Sequence, residues 1–555
     1  MRNPFRSMLP LPVAMLFVLP LSLSAQTAPS TETTEETVIQ ALDKQWLAYT
    51  YLPPDGRVAW RAAVEGRWQL FVAGNPVGPP TREYTKPTFS RDQRHVAFHF
   101  APEDKTLVVV DGIEHSISPS ASGPKLEFSD DGRALAYQAC EPVDKKREKC
   151  QSGVVGEEPD TTLSAWPLLV GGGDSLRVIA YAAARTVVSI TRPSPELEAA
   201  ETGREAITTM VFDGKDTPES IRLNLLASSA AGKKKVPRPQ FGGMTLSAGR
   251  QRFGYVVWGF LPTANTEKGD TLLIGPSVAA VIDGRLGDLH AMMGPIHFSP
   301  DGSRVAYAGA WAQPYGLVSN WEVFGYVVVD GVKGPVFERK PALQPSSLFV
   351  PWGLDAEWTG VSDPVFSPDS RRIAYVARRG SDDFVVMLDG AAVAVPAMKR
   401  VAGGPVFSPD SKHLAFVGVG KDGAQLYVDG AATGSPVPAK TGSIAKSIRF
   451  DPTSRHVAFA LAANSDEVPD QRFVLDGIAG SSFSSIPVRE ILFSPDGEHT
   501  AFVAAYRTAW VVRDGVRGKG FPRLIPHSLA IGDDGVASYV AGDDRGLLRV
   551  RQGGR

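Results

Sequence analysis

The stretch DPVFSPDSRRIAYVARRGSDDFVVMLDG, residues Asp363–Gly390, decides how the whole chain is read. An apolar run ends at Phe366, a turn follows at Ser367-Pro368-Asp369-Ser370, and a second apolar run covers Ile373–Ala377. After a polar gap, a third run (Phe384–Leu388) is closed by Asp389-Gly390. The same order returns at Phe298–Gly331, Phe407–Gly430, Phe450–Gly477 and Phe493–Gly515. Looser copies sit around Asp55, Phe89, Phe128, Gly173, Leu246 and Ile531. Eleven copies at a spacing of about 40 residues mark a repeat protein.

Turn chemistry explains the pattern. In Ser-Pro-Asp-Gly, proline presets φ at the first turn corner, aspartate takes the second, and glycine takes the left-handed position that follows. Asp-Gly after the third run is a two-residue hairpin signal, because both residues tolerate positive φ. Ser370, Ser411, Ser454 and Gln93 stand where the glycine belongs. A side chain there costs roughly 1 kcal/mol if the backbone stays left-handed, so some of these turns are expected to differ.

Each unit reads as four short antiparallel strands, lettered a to d. In the quoted copy a is Pro364–Phe366, b is Ile373–Ala377, c is Phe384–Leu388, and d follows Gly390. Strands b and c are apolar on both faces, as in Val327-Val328-Val329 and Val108-Val109-Val110. A two-layer sandwich leaves one face wet and polar. Sheets covered on both faces, at four strands per unit, are what an all-β propeller requires. The SPDG-x-x-x-A-[YF] pattern followed by V-V-x-D-G resembles the WD-like propeller repeats of the periplasmic TolB proteins. That resemblance implies a fold and not an activity.

The first residues carry Arg2 and Arg6, an apolar run from Met8 to Leu23 and small residues around Ser24–Ala28, the order of a secretory signal peptide over residues 1–25. Residues 26–46 are expected to be disordered at first, then a short helix or a closing strand drawn from Glu35–Gln45. No second long apolar run exists to span a bilayer, and a periplasmic or secreted protein is expected. With 58 basic against 60 acidic residues, the chain is too near neutrality for a nucleic-acid binder. Cys140 and Cys150 flank a single hairpin connection and are expected to form a disulfide there.

Eleven units exceed the four to eight of an ordinary ring. Two rings are expected, residues 47–340 and 363–555; a division at 216–243, giving four units plus seven, and a single oversized ring are the other candidates. In such a blade the a–b and c–d turns share one face and the b–c and d–a connections the other. On the first face the turns are tight almost throughout. The long insertions all fall on the second, in units four to six, where Trp258, Trp311, Tyr315, Trp321, Trp352 and Trp358 are found. Aromatics on such loops suit glycan stacking or a protein anchor, or else fill a small core beneath the loops. The expected function is a binding scaffold for an envelope or extracellular protein, or a glycan. The alternative is a polysaccharide lyase or glycoside hydrolase using Asp355, Glu357 or Asp363.

No catalytic set is assembled by the sequence. The turn aspartates (Asp301, Asp369, Asp410, Asp496) recur because the turn needs them, and no GxSxG elbow occurs. His95 and His99 share a strand face without a third ligand, and His290 and His297 bracket a d–a connection. Neither a cofactor nor a metal is expected.

Overall fold

A computed structural model describes residues 33–40 and, with interruptions, 59–224 and 240–553. Every regular element among them is a strand, paired antiparallel. The leader, the 340–359 stretch and most of unit four lie outside the described residues.

The quoted stretch forms a four-stranded meander: 7a Val365–Phe366, 7b Ile373–Gly380, 7c Asp383–Leu388 and 7d Ala391–Ala392. Units two, five, eight, nine and ten are built the same way, each in a-b-c-d order. In unit six, strand d is split into Val332–Lys333 and Phe337–Arg339. Strand 11d comes from the other end of the chain. Thr33–Gln40 runs antiparallel to 11c, Gly546–Gln552, with Thr33 opposite Gln552 and Gln40 opposite Gly546.

Burial follows the sheets and not a single slab. Strand 8b (Leu414–Val419) and strand 9b (Val457–Ala462) are buried at every position, whereas 7d is exposed. The two faces of each b strand feed different cores. Ala415, Val417 and Val419 pack on Val457, Phe459 and Leu461 of unit nine. Leu414 and Phe416 point the other way, into Ala374 and Val386 of unit seven. Unit nine repeats the device, with Ala458 and Ala460 admitting Phe502 of unit ten, on which Phe473 stacks at 4.4 Å. Fully buried side chains of the size of Phe416 and Phe459 contribute roughly 1.5–3 kcal/mol each.

Cores of this kind join units five to six, six to seven and onward to eleven without a break. Units one, two and three are joined likewise. Across the 340–363 boundary, Ala308, Ala310 and Val327 of unit six share a core with Tyr375, Ala377 and Val385 of unit seven.

Candidate functional site

The a–b turns form a continuous belt on one face. Ser367 shows the local rule: its Oγ accepts from the Arg372 backbone N–H at 2.9 Å and donates to Asp369 at 2.6 Å. Strand c closes the motif, since Asp389 accepts from the Ile373 N–H at 2.9 Å and from Arg372 Nε at 3.0 Å. Units five and six pair Arg252 with Asp283 and Arg304 with Asp330 in the same way. Histidine takes the arginine's place in His95–Asp111, His413–Asp429, His456–Asp476 and His499–Asp514.

These groups imitate a nucleophile set without being one. Ser408 Oγ bonds the backbone N–H of His413 at 2.9 Å, while the ring Nδ1 faces Asp429 at 2.6 Å. The hydroxyl is thus tied to the histidine's main chain and to Asp410. Hydrogen bonds from Ser299 and Ser303 hold Asp301 far below the usual carboxylate range, and a bond from Ser408 takes Asp410 to about 2. Carboxylates held this firmly ionised serve the turn.

The expected difference is not found at the three serine-bearing turns, and Gln93 lies outside the described residues. Ser370, Ser411 and Ser454 keep φ at 67°, 64° and 67°, beside 74° and 79° at Gly302 and Gly497. A contact with the preceding unit offsets the strain. Ser370 Oγ accepts from the Asp301 N–H at 3.0 Å, Ser411 Oγ from Asp369 at 2.9 Å and Ser454 Oγ from Asp410 at 3.1 Å. Where Gly497 offers no hydroxyl, Arg455 reaches the Asp496 carbonyl and Glu498 instead. The last link runs from the Asp496 N–H to Asp533 at 2.8 Å.

The opposite face is uneven. Hairpin b–c of unit eight is short, Leu414–Val419 and Ala424–Val428. Unit three extends it to Leu135–Asp144 and Arg147–Val154, unit five to Phe253–Pro262 and Leu273–Ile282, and unit six to Val305–Pro314 and Trp321–Val329. Four more residues per b strand carry the hairpin about 13 Å further at ~3.3 Å each. In units five and six, the bases of what the sequence presents as inserted loop are therefore strand.

The predicted aromatics divide accordingly. Trp311 lies within 6b, half-buried, and stacks on Phe324 of 6c at 3.9 Å and 7°. Trp258 is in 5b opposite Val278, and Trp321 opens 6c opposite Pro314. Tyr315, Trp352 and Trp358 lie outside the described residues, as do Asp355 and Glu357; Asp363 precedes strand 7a. Cys140 and Cys150 are direct partners across the unit-three hairpin.

Beneath the long hairpins, the seam between units five and six holds a polar cluster. His290 closes 5d, Arg285–His290, and is 3% exposed. Its Nδ1 lies 2.7 Å from the Tyr326 hydroxyl, its ring meets Tyr307 edge-on at 5.6 Å, and its Nε2 is buried without a partner. Burial takes His290 down to about 4, against the pull of Asp288, and pushes Tyr307 up to about 12. Lys333 sits over the Tyr326 ring at 3.8 Å. A Cβ on Gly309 would strike the imidazole, so that glycine makes the room. Neither tyrosine stands out in sequence, since Tyr307 occupies a repeat position that is Tyr375 in unit seven and Phe416 in unit eight.

His95 is bound to Asp111, and burial lowers His99 to about 4. Among the described residues no three His, Cys, Asp or Glu side chains gather as metal ligands. No helix among them is long and apolar enough to cross a membrane.

No protein-family model matches the chain, and no curated protein does. Among the many solved structures that match it, three show how slight the likeness is. A Mycobacterium tuberculosis puromycin-hydrolyzing peptidase is 15% identical, with 69% of this chain and 58% of that one covered and a TM-score of 0.25. TolB from Acinetobacter baumannii is 13% identical over 45% of this chain and 79% of its own, with a TM-score of 0.19. A eukaryotic initiation factor is 14% identical over 77% and 96%, with a TM-score of 0.29. Likenesses this slight name no family and bear on no activity.

Proposed function

We propose that the chain is a β-propeller binding scaffold of the periplasm or extracellular space, which holds a protein or glycan partner on its long-hairpin face. The observation that carries this reading is the contrast between the faces. One is a belt of near-identical turns bonded unit to unit. The other bears hairpins of unequal length. Rigid scaffolds place recognition on the segments that vary. The unbroken cores favour units five to eleven as one ring of seven, with the division at 216–243, strands a innermost and Thr33–Gln40 completing the last blade. The 1–25 leader and a Cys140–Cys150 bridge belong to the same reading, the bridge stiffening the unit-three hairpin.

Affinity capture from envelope extract tests it, using the wild type and a variant shortened at Ala310–Asn320. Capture of a partner by the wild type alone is expected. Identical partner sets from both, or none from either, would contradict the proposal.

A further inference from the structure

Strand a is unlike itself in units eight and nine. In units six, seven and ten the segment beside the a–b turn has only two residues, whereas 8a is Arg400–Phe407 and 9a is Ile444–Phe450. The two long strands approach so closely that a Cβ on Gly403 would collide with the Ala445 carbonyl. Each strand and its d–a approach is cationic without an acid: Lys399 and Arg400 lead into 8a, while Lys440, Lys446 and Arg449 lie along the segment that ends 9a. Exposure falls along this series, with Lys399 and Lys440 exposed at the hairpin face and Lys446 and Arg449 half-buried below it.

Register fixes where the deep pair points. Lys446 opposes Ala460 and Arg449 opposes Ala458, with a bulge between them. Cross-strand partners share a sheet face. Both cations therefore lie on the face of unit nine that packs toward unit ten. Among the described residues neither side chain has an ion pair or hydrogen bond, although burial alone weakens the hold of Arg449 on its proton. Glu490, just before strand 10a, is buried and has an interaction of its own. In the bulge, Ser447 adopts φ 55°, and its hydroxyl is buried without a partner. Half-burying an arginine beside a lysine, with no counter-charge paired to either among the described residues, is unfavourable unless an anion arrives.

We infer that Arg449, Lys446 and the Ser447 hydroxyl form a binding site for an oxyanion, the phosphate or carboxylate group of a ligand that enters from the long-hairpin face along the inner strands. The inner placement of strands a rests on the propeller reading above; the unpartnered donors do not. Guanidinium takes such a group bidentately, the ammonium adds a second charge and the hydroxyl a neutral bond.

Titration calorimetry on the purified chain tests it with two probes, inorganic phosphate and trigalacturonate, which separate the phosphate and carboxylate sources. Binding of at least one probe is expected, weakened tenfold or more in both R449Q and K446Q and unchanged in R379Q, which alters an outer arginine paired with Asp383. R449Q should melt no lower than the wild type, since it breaks no bond; a lower melting temperature would assign Arg449 a structural role and overturn the inference. Absence of heat with both probes, or equal weakening in R379Q, would also overturn it. No partner is needed for this measurement, so a chain that captures nothing from extract yet loses probe binding in R449Q keeps the site and drops the scaffold.

Discussion

Ser411 makes a residue-scale argument that can be measured. Its hydroxyl bonds the Asp369 N–H of the preceding unit while its backbone holds φ at 64°. Ser411→Ala keeps the strain and loses the bond, so a loss of about 1 kcal/mol is expected in denaturant unfolding. Ser411→Gly loses the bond but relieves roughly 1 kcal/mol of strain, so it should lie close to the wild type. Two histidines predict opposite pH responses. The Asp476 hydrogen bond raises His456, so the folded state binds the proton more tightly than the unfolded one. Its contribution is full below pH 6.5 and is lost as pH rises through the raised folded value; His456→Gln should flatten that alkaline slope. His290 is lowered by burial, so the unfolded state takes up the proton first and stability falls from pH 6.5 toward about 4. That fall should amount to roughly 3 kcal/mol and shrink in His290→Gln. Tyr326→Phe removes the hydroxyl that bonds the imidazole Nδ1 and should cost about 1–3 kcal/mol.

At the scale of the element, the turns and the b and c strands were legible in sequence, and the long connections were not. Proline, aspartate and glycine at fixed offsets dictate the turn, and valine runs such as Val327–Val329 announce a strand covered on both faces. Trp311–Trp321 reads as a loop because Ala310, Trp311, Ala312 and Gln313 carry neither alternation nor a β-branched run. Cross-strand pairing alone, Trp311 on Phe324, makes it strand. The cross-unit role of the turn serines was equally hidden, because it depends on a residue about 40 positions away. The same holds for Lys446 and Arg449, whose shared face follows from a bulge that no local signal marks. Deleting Ala310–Asn320 removes the outer hairpin and, with Ala310, one core contact to unit seven and the partner of Met292, but leaves Ala306–Gly309 and Tyr326–Val329 in register. The variant should therefore fold with a loss of only a few kcal/mol, mostly the stacked ring pair and its burial.

For the whole molecule, the terminal strand is the decisive element. Thr33–Gln40 covers the edge of 11c along its full length, and Glu35 pairs with Lys519. Removing residues 33–40 should leave an unpaired edge that drives self-association, visible as a dimer or larger species in size-exclusion chromatography. A monomer with unchanged unfolding would deny the strand its closing role. Because that strand precedes units one to four and completes unit eleven, a chain cut at a protease site engineered between 216 and 243 should still elute as one body. The contrast between faces is tested most directly by photo-crosslinking in envelope extract, with the crosslinker placed at Gln313 on the unit-six hairpin or at Lys412 on the turn belt. The account predicts a partner captured at Gln313 and none at Lys412. Capture at Lys412, or at neither position, would contradict it.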